Sequence, residues 1–183
     1  MVALQVENVI ASSSLGKEVE LVRLGTELEH AQYTRGLTPS VVVDLAGDGA
    51  GGRTGRVFGS GNPYLTGGED LASGREAVTQ LREAIKALDP KVSLRKGVKL
   101  ENMVMRADLG TTLDLAAIAA AVPAADYDPA RFAGVVMRLD EPSASFILFR
   151  SGIVVVTDVS SETRARSALK ALSKFLYAAS LIG

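Results

Sequence analysis

Apolar and polar residues alternate along several short segments of the chain, and between them apolar residues recur every three or four positions. The alternation predicts β-strands at Leu4–Ala11 and Val98–Arg106, because successive side chains of a strand point to opposite faces. Helical spacing follows each strand, over Glu18–Glu29 and over Asp114–Val122, where Asp114 is the expected N-cap. The pattern therefore predicts a strand followed by a helix, twice.

Three short β-runs and a longer helix complete each half. In the second half the runs are Gly134–Leu139, Ser145–Phe149 and Ile153–Thr157, with turn residues between them. The closing helices are predicted at Glu69–Leu88 and Glu162–Ala179. In the second closing helix the apolar residues share one face: Ala165, Leu169, Leu172, Leu176 and Ala179. The predicted order of elements is β-α-β-β-β-α, twice.

The two halves also repeat one sequence. "VENVIASSSLG" matches "LENMVMRADLG", which places Asn102 94 positions after Asn8, and "SVVVDL" matches "GVVMRL" at the same offset. "RVFGSGNPYLT" then matches "ILFRSGIVVVT" at an offset of 91, because the first copy has three additional residues in its Gly-rich stretch "AGDGAGGRTG". We interpret this as a tandem duplication, with residues 1–91 as the first repeat and 92–183 as the second, joined by the turn-rich linker Asp89–Gly97.

Runs of consecutive strands favour an antiparallel sheet with helices segregated to one face, so the predicted fold class is α+β. A half of about 90 residues is marginal alone, so we expect the two sheets to join into one. In the second half the side chains that point to one face of the predicted strands are apolar, which suits packing against the helices: Met103, Met105, Val135 and Met137. The side chains that point to the other face are of mixed type, which predicts an open face outside the core: Asn102, Val104, Arg106, Phe132, Val136, Arg138, Ile147 and Phe149.

Composition narrows the classes of function. The 183 residues include no cysteine and one histidine, His30, so the sequence predicts no disulfide, no thiol chemistry, no metal site and no catalytic residues. We expect no cofactor and no membrane span, since no apolar run approaches the length that crosses a bilayer. The net charge of −1 argues against a generally basic nucleic-acid binder. An enzyme is not expected either, because the two repeats leave no chain for a catalytic domain.

Three segments of the second half carry a family resemblance: "LENMVMRADLG", "AADYDPARFAGVVMRLDEP" and "FILFRSGIVVVT". Together with the matching segments of the first half, they make the chain similar to the TATA-box-binding protein family, in its compact archaeal-type form, over essentially its full length. The resemblance implies a duplicated, saddle-shaped fold. In that fold one curved antiparallel sheet forms the concave side and the helices form the convex face.

The resemblance also implies a transcription initiation factor that binds the minor groove of A·T-rich, TATA-like promoter DNA and bends it by Phe insertion. The groove offers mainly acceptors at A·T pairs, which suits Asn amides, while Phe wedges kink base steps and arginines hold phosphates. The DNA-binding residues implied position by position are Asn8, Ile10, Phe58, Thr66, Asn102, Val104, Arg131, Phe132, Arg138, Phe149, Ser151 and Thr157.

The first copy departs from this pattern. At three positions of the implied DNA-binding face it has a different type of residue from the second copy: Thr38 for Phe132, Asp44 for Arg138, and Arg56 for Ile147. Residues 1–91 carry a net charge of −3 and residues 92–183 a net charge of +2. The Gly-rich loop could instead bring Arg53 or Arg56 to the DNA backbone. An alternative therefore stays open, namely a saddle-fold protein-interaction module that has lost most DNA binding.

The resemblance further implies partners and a location. The partners would be double-stranded A·T-rich promoter DNA and a transcription factor B-like protein, met partly through the "DYDPAR" segment, Asp126–Arg131. The chain itself would be a monomer or a weak homodimer formed through the open sheet. The location would be the cytoplasm, in association with the nucleoid, for an archaeal protein, or the nucleus for a eukaryotic one.

Overall fold

Nine strands and four helices make up the computed structural model, which describes residues 2–47, 52–93 and 96–182. Residues 48–51 of the Gly-rich stretch and residues 94–95 of the predicted linker lie outside the described residues. In chain order the elements are β1 (Leu4–Ser14), α1 (Leu21–Glu27), β2 (Ala31–Thr34), β3 (Ser40–Asp44), β4 (Thr54–Phe58), β5 (Pro63–Thr66), α2 (Leu71–Leu88), β6 (Lys96–Asp108), α3 (Leu115–Ala121), β7 (Gly134–Leu139), β8 (Ala144–Phe149), β9 (Ile153–Val159) and α4 (Glu162–Ala178).

The chain packs as two compact units. One, the first-repeat unit, is Asn8–Glu101, and the other, the second-repeat unit, contains the residues up to Glu7 and from Asn102 onward. Strands β1 and β6 therefore each contribute residues to both units. The boundary between residues 91 and 92 concerns the sequence repeat rather than the packing, and it stays a prediction.

Both units have an antiparallel sheet with the same connectivity. The strand order is β2-β3-β4-β5-β1 in the first-repeat unit and β6-β9-β8-β7 in the second-repeat unit. Register is also repeated, with the offsets of 94 and 91 that relate the two sequences. Equivalent pairs are Ala11↔Leu65 and Met105↔Val156, and Ser40↔Phe58 and Gly134↔Phe149. The predicted α+β class and the duplication are confirmed.

The first repeat has one more strand than predicted. Strand β2 pairs with β3 through four residue pairs, so the order of its elements is β-α-β-β-β-β-α. At the equivalent place the second repeat has only the isolated bridge Asp126↔Val136. There Pro129 has no N–H to donate to a ladder, and the N–H groups of Arg131 and Phe132 donate to the Asp128 carbonyl in a turn.

Predicted helix positions are correct, but several bounds differ. Helix α1 begins at Leu21 rather than Glu18, without a side-chain cap, and α2 begins after Asp70, which forms a capping box with Ser73. The predicted cap Asp114 is confirmed, since its Oδ1 accepts from the Ala117 N–H at 3.1 Å. In α4 four of the five predicted face residues are buried, whereas the fifth lies beyond the last turn and is exposed. No described helix has the length and apolar character to cross a membrane.

The core lies between the helices and one face of each sheet. In the first-repeat unit the buried strand residues Val41, Val43, Val57 and Leu65 cluster with Ala77, Val78, Leu81 and Ile85 of α2. In the second-repeat unit the predicted helix-side residues Met103, Met105, Val135 and Met137 are all buried. In these strands alternate residues are buried beneath the helices, and the removal of their apolar surface from water stabilises the fold.

The repeated Ser-Gly dipeptides close equivalent turns in both units. Gly61 and Gly152 have φ of +74° and +90°. A Cβ there would lie 1.8 Å from the Lys17 carbonyl oxygen and 2.2 Å from that of Thr111, respectively. Only glycine meets both demands, because it tolerates positive φ and has no Cβ. The turns therefore fix where the aromatic ends of β4 and β8 lie.

Candidate nucleic-acid interface

Each sheet has a second face that the helices do not cover, here called the open face. Its residues alternate with the buried ones along most of the strands, and they are half-buried or exposed. In the first-repeat unit they are Asn8, Ile10, Val42, Arg56, Phe58, Tyr64 and Thr66, and in the second-repeat unit Asn102, Val104, Val136, Arg138, Ile147, Phe149, Val155 and Thr157. The predicted non-core parity of the second half is confirmed.

Two predicted wedge residues meet at one end of the open face in the second-repeat unit. The rings of Phe132 and Phe149 pack edge to face, with centroids 5.9 Å apart and planes at 68°. Phe132 keeps 45% of its surface exposed although it is a large apolar side chain. Gly134 makes room for this ring, since a Cβ there would lie 2.9 Å from Phe132 Cε1. A partly exposed aromatic pair of this kind is typical of a surface that contacts a partner.

The polar residues implied near this pair differ in whether their side chains already have a partner within the unit. Arg131 and Ser151 are exposed. Arg138 donates from Nη2 to the Ser143 Oγ at 3.0 Å, and its Nη1 lies 3.6 Å from the Asp158 Oδ2. Asp158 was not predicted to matter, because it follows the predicted end of its strand, whereas β9 continues to Val159. Its charge offsets part of the positive charge of Arg138.

The two predicted amide donors have equivalent positions and different partners. Asn8 Oδ1 accepts from the Gly67 N–H at 2.8 Å, and no hydrogen bond of its Nδ2 is found within the described residues. Asn102 Nδ2 donates to the Thr157 Oγ1 at 2.9 Å, while its Oδ1 is buried without a partner. Both side chains are half-buried. Each amide nitrogen still has at least one N–H that is not used inside its own unit.

Four other residues that the resemblance implies for DNA binding lie on the same face, where they form its central part, here called the floor. Ile10, Val104, Thr66 and Thr157 are all half-buried, which leaves part of each side chain accessible. The hydroxyls of Thr66 and Thr54 lie 2.9 Å apart and share a hydrogen bond. The floor of the open face is therefore apolar, with its hydroxyl groups engaged by neighbouring side chains.

An aromatic pair also occurs in the first-repeat unit, but sequence comparison of the repeats did not find it. The rings of Phe58 and Tyr64 lie with centroids 6.1 Å apart at 86°. Tyr64 occupies the position of Val155 in the second copy, so alignment of the copies does not indicate an aromatic residue there. Its position between Pro63 and Leu65 in the alternating strand was the signal that could have placed it on the open face. Leu37, next to Thr38, is fully exposed.

The charged residues of the first-repeat unit separate into those on the open face and those off it. The Asp44 carboxylate accepts from the N–H groups of Ala46 and Gly47 in its own loop. Arg53 donates to Glu76 of α2 at 3.0 Å and so belongs to the helix side. Arg56 is exposed on the open face, and its Nη1 donates to the Ser40 Oγ at 3.0 Å. Of the two arginines considered for DNA contact, only Arg56 lies on the open face.

The pKa of the Glu101 carboxyl is shifted by its hydrogen bonds. Hydrogen bonds from Lys99, which has the larger effect, and from Ser12 lower the pKa of Glu101 below its ordinary value, as expected for a paired carboxylate. Within the described ranges no group of three or more His, Asp or Glu side chains is placed to hold a metal ion. The chemistry that the open face offers is apolar contact, aromatic insertion, amide donation and positive charge.

Comparison with known proteins gives one consistent family. The model of the family described as "Transcription factor TFIID (or TATA-binding protein, TBP)" matches residues 3–88 and 97–179. The TATA-box-binding protein of Methanothermobacter thermautotrophicus is 32% identical over 165 residues, covering 90% of each chain. That of Archaeoglobus fulgidus is 33% identical over 175 residues and covers 94% of each chain. The solved structure of Methanococcus jannaschii TBP superposes with a TM-score of 0.81 at 29% identity, over 97% of this chain and 99% of that one.

Proposed function

This chain belongs to the TATA-binding protein family, and we propose on that basis that it is a transcription initiation factor that binds the minor groove of A·T-rich promoter DNA and bends it. It would act through binding rather than as an enzyme. The proposal is carried by one observation: both units have an open face with an asparagine at equivalent positions, Asn8 and Asn102, and with an aromatic pair in which Phe58 corresponds to Phe149.

The physical fit of this face is to the minor groove. A·T pairs offer only acceptors there, and the amide nitrogens of Asn8 and Asn102 can donate to them. The half-buried floor of Ile10 and Val104 suits an apolar groove wall. A G·C pair would place its N2 amino group against these donors and this floor, so A·T-rich sites are favoured.

Bending would be produced by the aromatic pairs. Insertion of a side chain between base steps costs a few kcal/mol of unstacking per step, and the bent duplex offsets this cost by contacting more protein. The Phe132–Phe149 pair, in which Phe132 is exposed, is best suited to insertion. Arg131 and Arg138 would then contact phosphates, which position the protein without reading sequence. Flexible pyrimidine–purine steps would bend most easily.

The rest of the proposed assembly follows from the family. A transcription factor B-like protein would contact the turn at Asp126–Arg131, in which Asp128 accepts hydrogen bonds from the backbone N–H groups of Ala130, Arg131 and Phe132. The archaeal relatives favour association with a nucleoid over a nucleus.

The proposal is tested by titrating end-labelled duplexes, one with a TATA-like A·T-rich centre and one with the same composition scrambled, with and without a transcription factor B. We expect tighter binding to the TATA-like duplex and a bend measured by fluorescence transfer between its ends. Absence of binding to either duplex at low salt, with the partner factor present, would reject the proposal and favour the alternative of a protein-interaction module.

A further inference from the structure

A carboxylate lies beside the arginine that the second-repeat unit offers to phosphate. The Asp158 carboxylate accepts a hydrogen bond from the Ser145 Oγ, and its Oδ2 lies 3.6 Å from Arg138 Nη1. The other terminal nitrogen of the guanidinium, Nη2, donates to the Ser143 Oγ at 3.0 Å. Arg138 therefore has partners for both ends of its planar fork within its own unit.

A bulge in β9 brings the Asp158 side chain to the open face. Two residues of β6 are opposite three residues of β9, since the paired residues on either side of the irregularity are Met103↔Val159 and Met105↔Val156. Asp158 has a φ of +60°, a conformation that aspartate and asparagine adopt more readily than most residues with a side chain. The extra residue interrupts the alternation of β9, which is why its carboxylate reaches side chains of the open face.

The first repeat has neither the arginine nor the carboxylate beside it. Asp44 occupies the position of Arg138, and Gly67 occupies the position of Asp158. Gly67 has a φ of +89°, and a Cβ there would lie 1.6 Å from the Gly52 carbonyl oxygen, so its position requires glycine. Both copies thus share a positive φ at this point of the fold. The carboxylate is found only in the copy that has the arginine.

We propose that Asp158 controls DNA binding by the second-repeat unit, because its carboxylate competes with DNA phosphate for Arg138. This inference rests on the proposed function of DNA binding. A phosphate bound by the guanidinium fork occupies the side on which Nη1 now faces the carboxylate, so the carboxylate is displaced when the phosphate contact forms. Asp158 therefore weakens that contact, and removal of its charge strengthens DNA binding through Arg138.

The exposure of the two side chains sets the size of the effect. Arg138 keeps 57% of its side chain exposed and Asp158 keeps 50%, and ion pairs at such positions are weak. Release of Arg138 is therefore expected to strengthen DNA binding by roughly two- to fivefold at low salt. A more complete phosphate contact also releases counterions, so the slope of log affinity against log salt should become steeper by up to about one.

The experiment is a double-mutant cycle in the whole chain, with affinity for a TATA-like duplex measured over a range of salt concentrations. Asp158→Asn removes the charge, keeps an oxygen that can accept from Ser145, and suits the positive φ. Arg138→Gln removes the positive charge, and the double variant combines both changes. Glu162→Gln is the matched control, because it removes a carboxylate that is paired with Arg166 within α4, on the helix side.

Asp158→Asn is expected to bind DNA about two- to fivefold more tightly than the unaltered protein and with a steeper salt slope. Glu162→Gln should change neither quantity. When Arg138 is already glutamine, Asp158→Asn should give a clearly smaller gain, because no guanidinium is left to release. Urea unfolding of each variant checks the fold, and Asp158→Gly, which introduces the residue of the first copy, repeats the comparison if Asp158→Asn unfolds at lower urea.

Two results would overturn the inference. An equal gain with and without Arg138 would show that the carboxylate only repels DNA, and unchanged affinity of both Asp158 variants would show that it does not compete at all. Failure of the unaltered protein and of Asp158→Asn to bind any duplex at low salt is a different result, which would reject the proposed function and this inference with it.

Discussion

Replacement of Asn102 by alanine separates a role in DNA binding from a role in folding. One N–H of its amide donates to Thr157, and the other is free to donate to a base acceptor. If that donor reads the minor groove, its loss should cost about 1–3 kcal/mol of binding, which is roughly a 5- to 150-fold loss of affinity. Asn102→Asp should be worse than Asn102→Ala, because a carboxylate has the same shape but turns a donor into a charged acceptor.

The effect on folding is small for this residue for a structural reason. Asn102→Ala loses one side-chain hydrogen bond, but it also removes the Oδ1 that is buried without a partner. A hydrogen bond contributes about 1 kcal/mol net and an unsatisfied buried acceptor costs about 1–3 kcal/mol, so the two changes nearly cancel. Asn8→Ala, by contrast, leaves the Gly67 N–H without its acceptor and should destabilise the fold by roughly 1 kcal/mol.

The assay pairs DNA titration with urea unfolding of the same three variants. We expect Asn102→Ala to weaken DNA binding strongly with little change in the unfolding midpoint, and Asn8→Ala to lower both. The reasoning is refuted if Asn102→Ala unfolds at much lower urea while it binds DNA as the unaltered protein does. In that case the asparagines would be structural residues of their strands.

Three other predictions follow from the geometry. Phe149→Ala should reduce the DNA bend, measured by fluorescence transfer, more than Phe58→Ala, because only Phe149 is paired with an exposed phenylalanine; equal effects would contradict this. Asp44→Asn should strengthen DNA binding and steepen its salt dependence, since it removes a negative charge from the open side while an amide oxygen can still accept the loop N–H groups; unchanged affinity across salt would count against it. Hydrogen bonds from Ser73 lower the pKa of Asp70, so the stability that this N-cap contributes is present above its ordinary value of 3.8 and is lost as pH falls below it. Asp70→Ala should therefore lower the melting temperature at pH 7 and lose less stability than the unaltered protein as pH falls below that value, and parallel pH profiles would be inconsistent with the capping role.

Repeated sequence predicted most of the fold because register follows from the alternation of apolar residues. The strands Gly134–Leu139 and Ile153–Thr157 were placed from that alternation, and the offset of 91 beyond the Gly-rich loop aligned the right residues of both units. Strand β2 was missed because a single short run, Ala31–Thr34, has little periodicity of its own and forms only through its pairing with β3.

The sequence predicted which residues lie on the open face better than it predicted which of their side chains contact one another. The family resemblance grouped Phe132 with Phe149, and their rings are in contact on the open face. It could not predict that Tyr64 pairs with Phe58, because a cross-strand diagonal contact depends on the twist of the sheet. The hydrogen bond between Ser40 and Arg56 could not be predicted either. It depends on how closely the two side chains pack, and a comparison of residue types at one position at a time does not show packing.

The central claim is that the open faces read the minor groove, and inosine substitution tests it most directly. An I·C pair has the minor-groove acceptors of an A·T pair without the N2 amino group of guanine, while its major groove resembles G·C. A TATA-like duplex with its A·T pairs replaced by I·C should bind and bend about as well as the original, whereas the G·C version should not. Loss of binding on the I·C duplex, equal to the loss on the G·C duplex, would contradict the account.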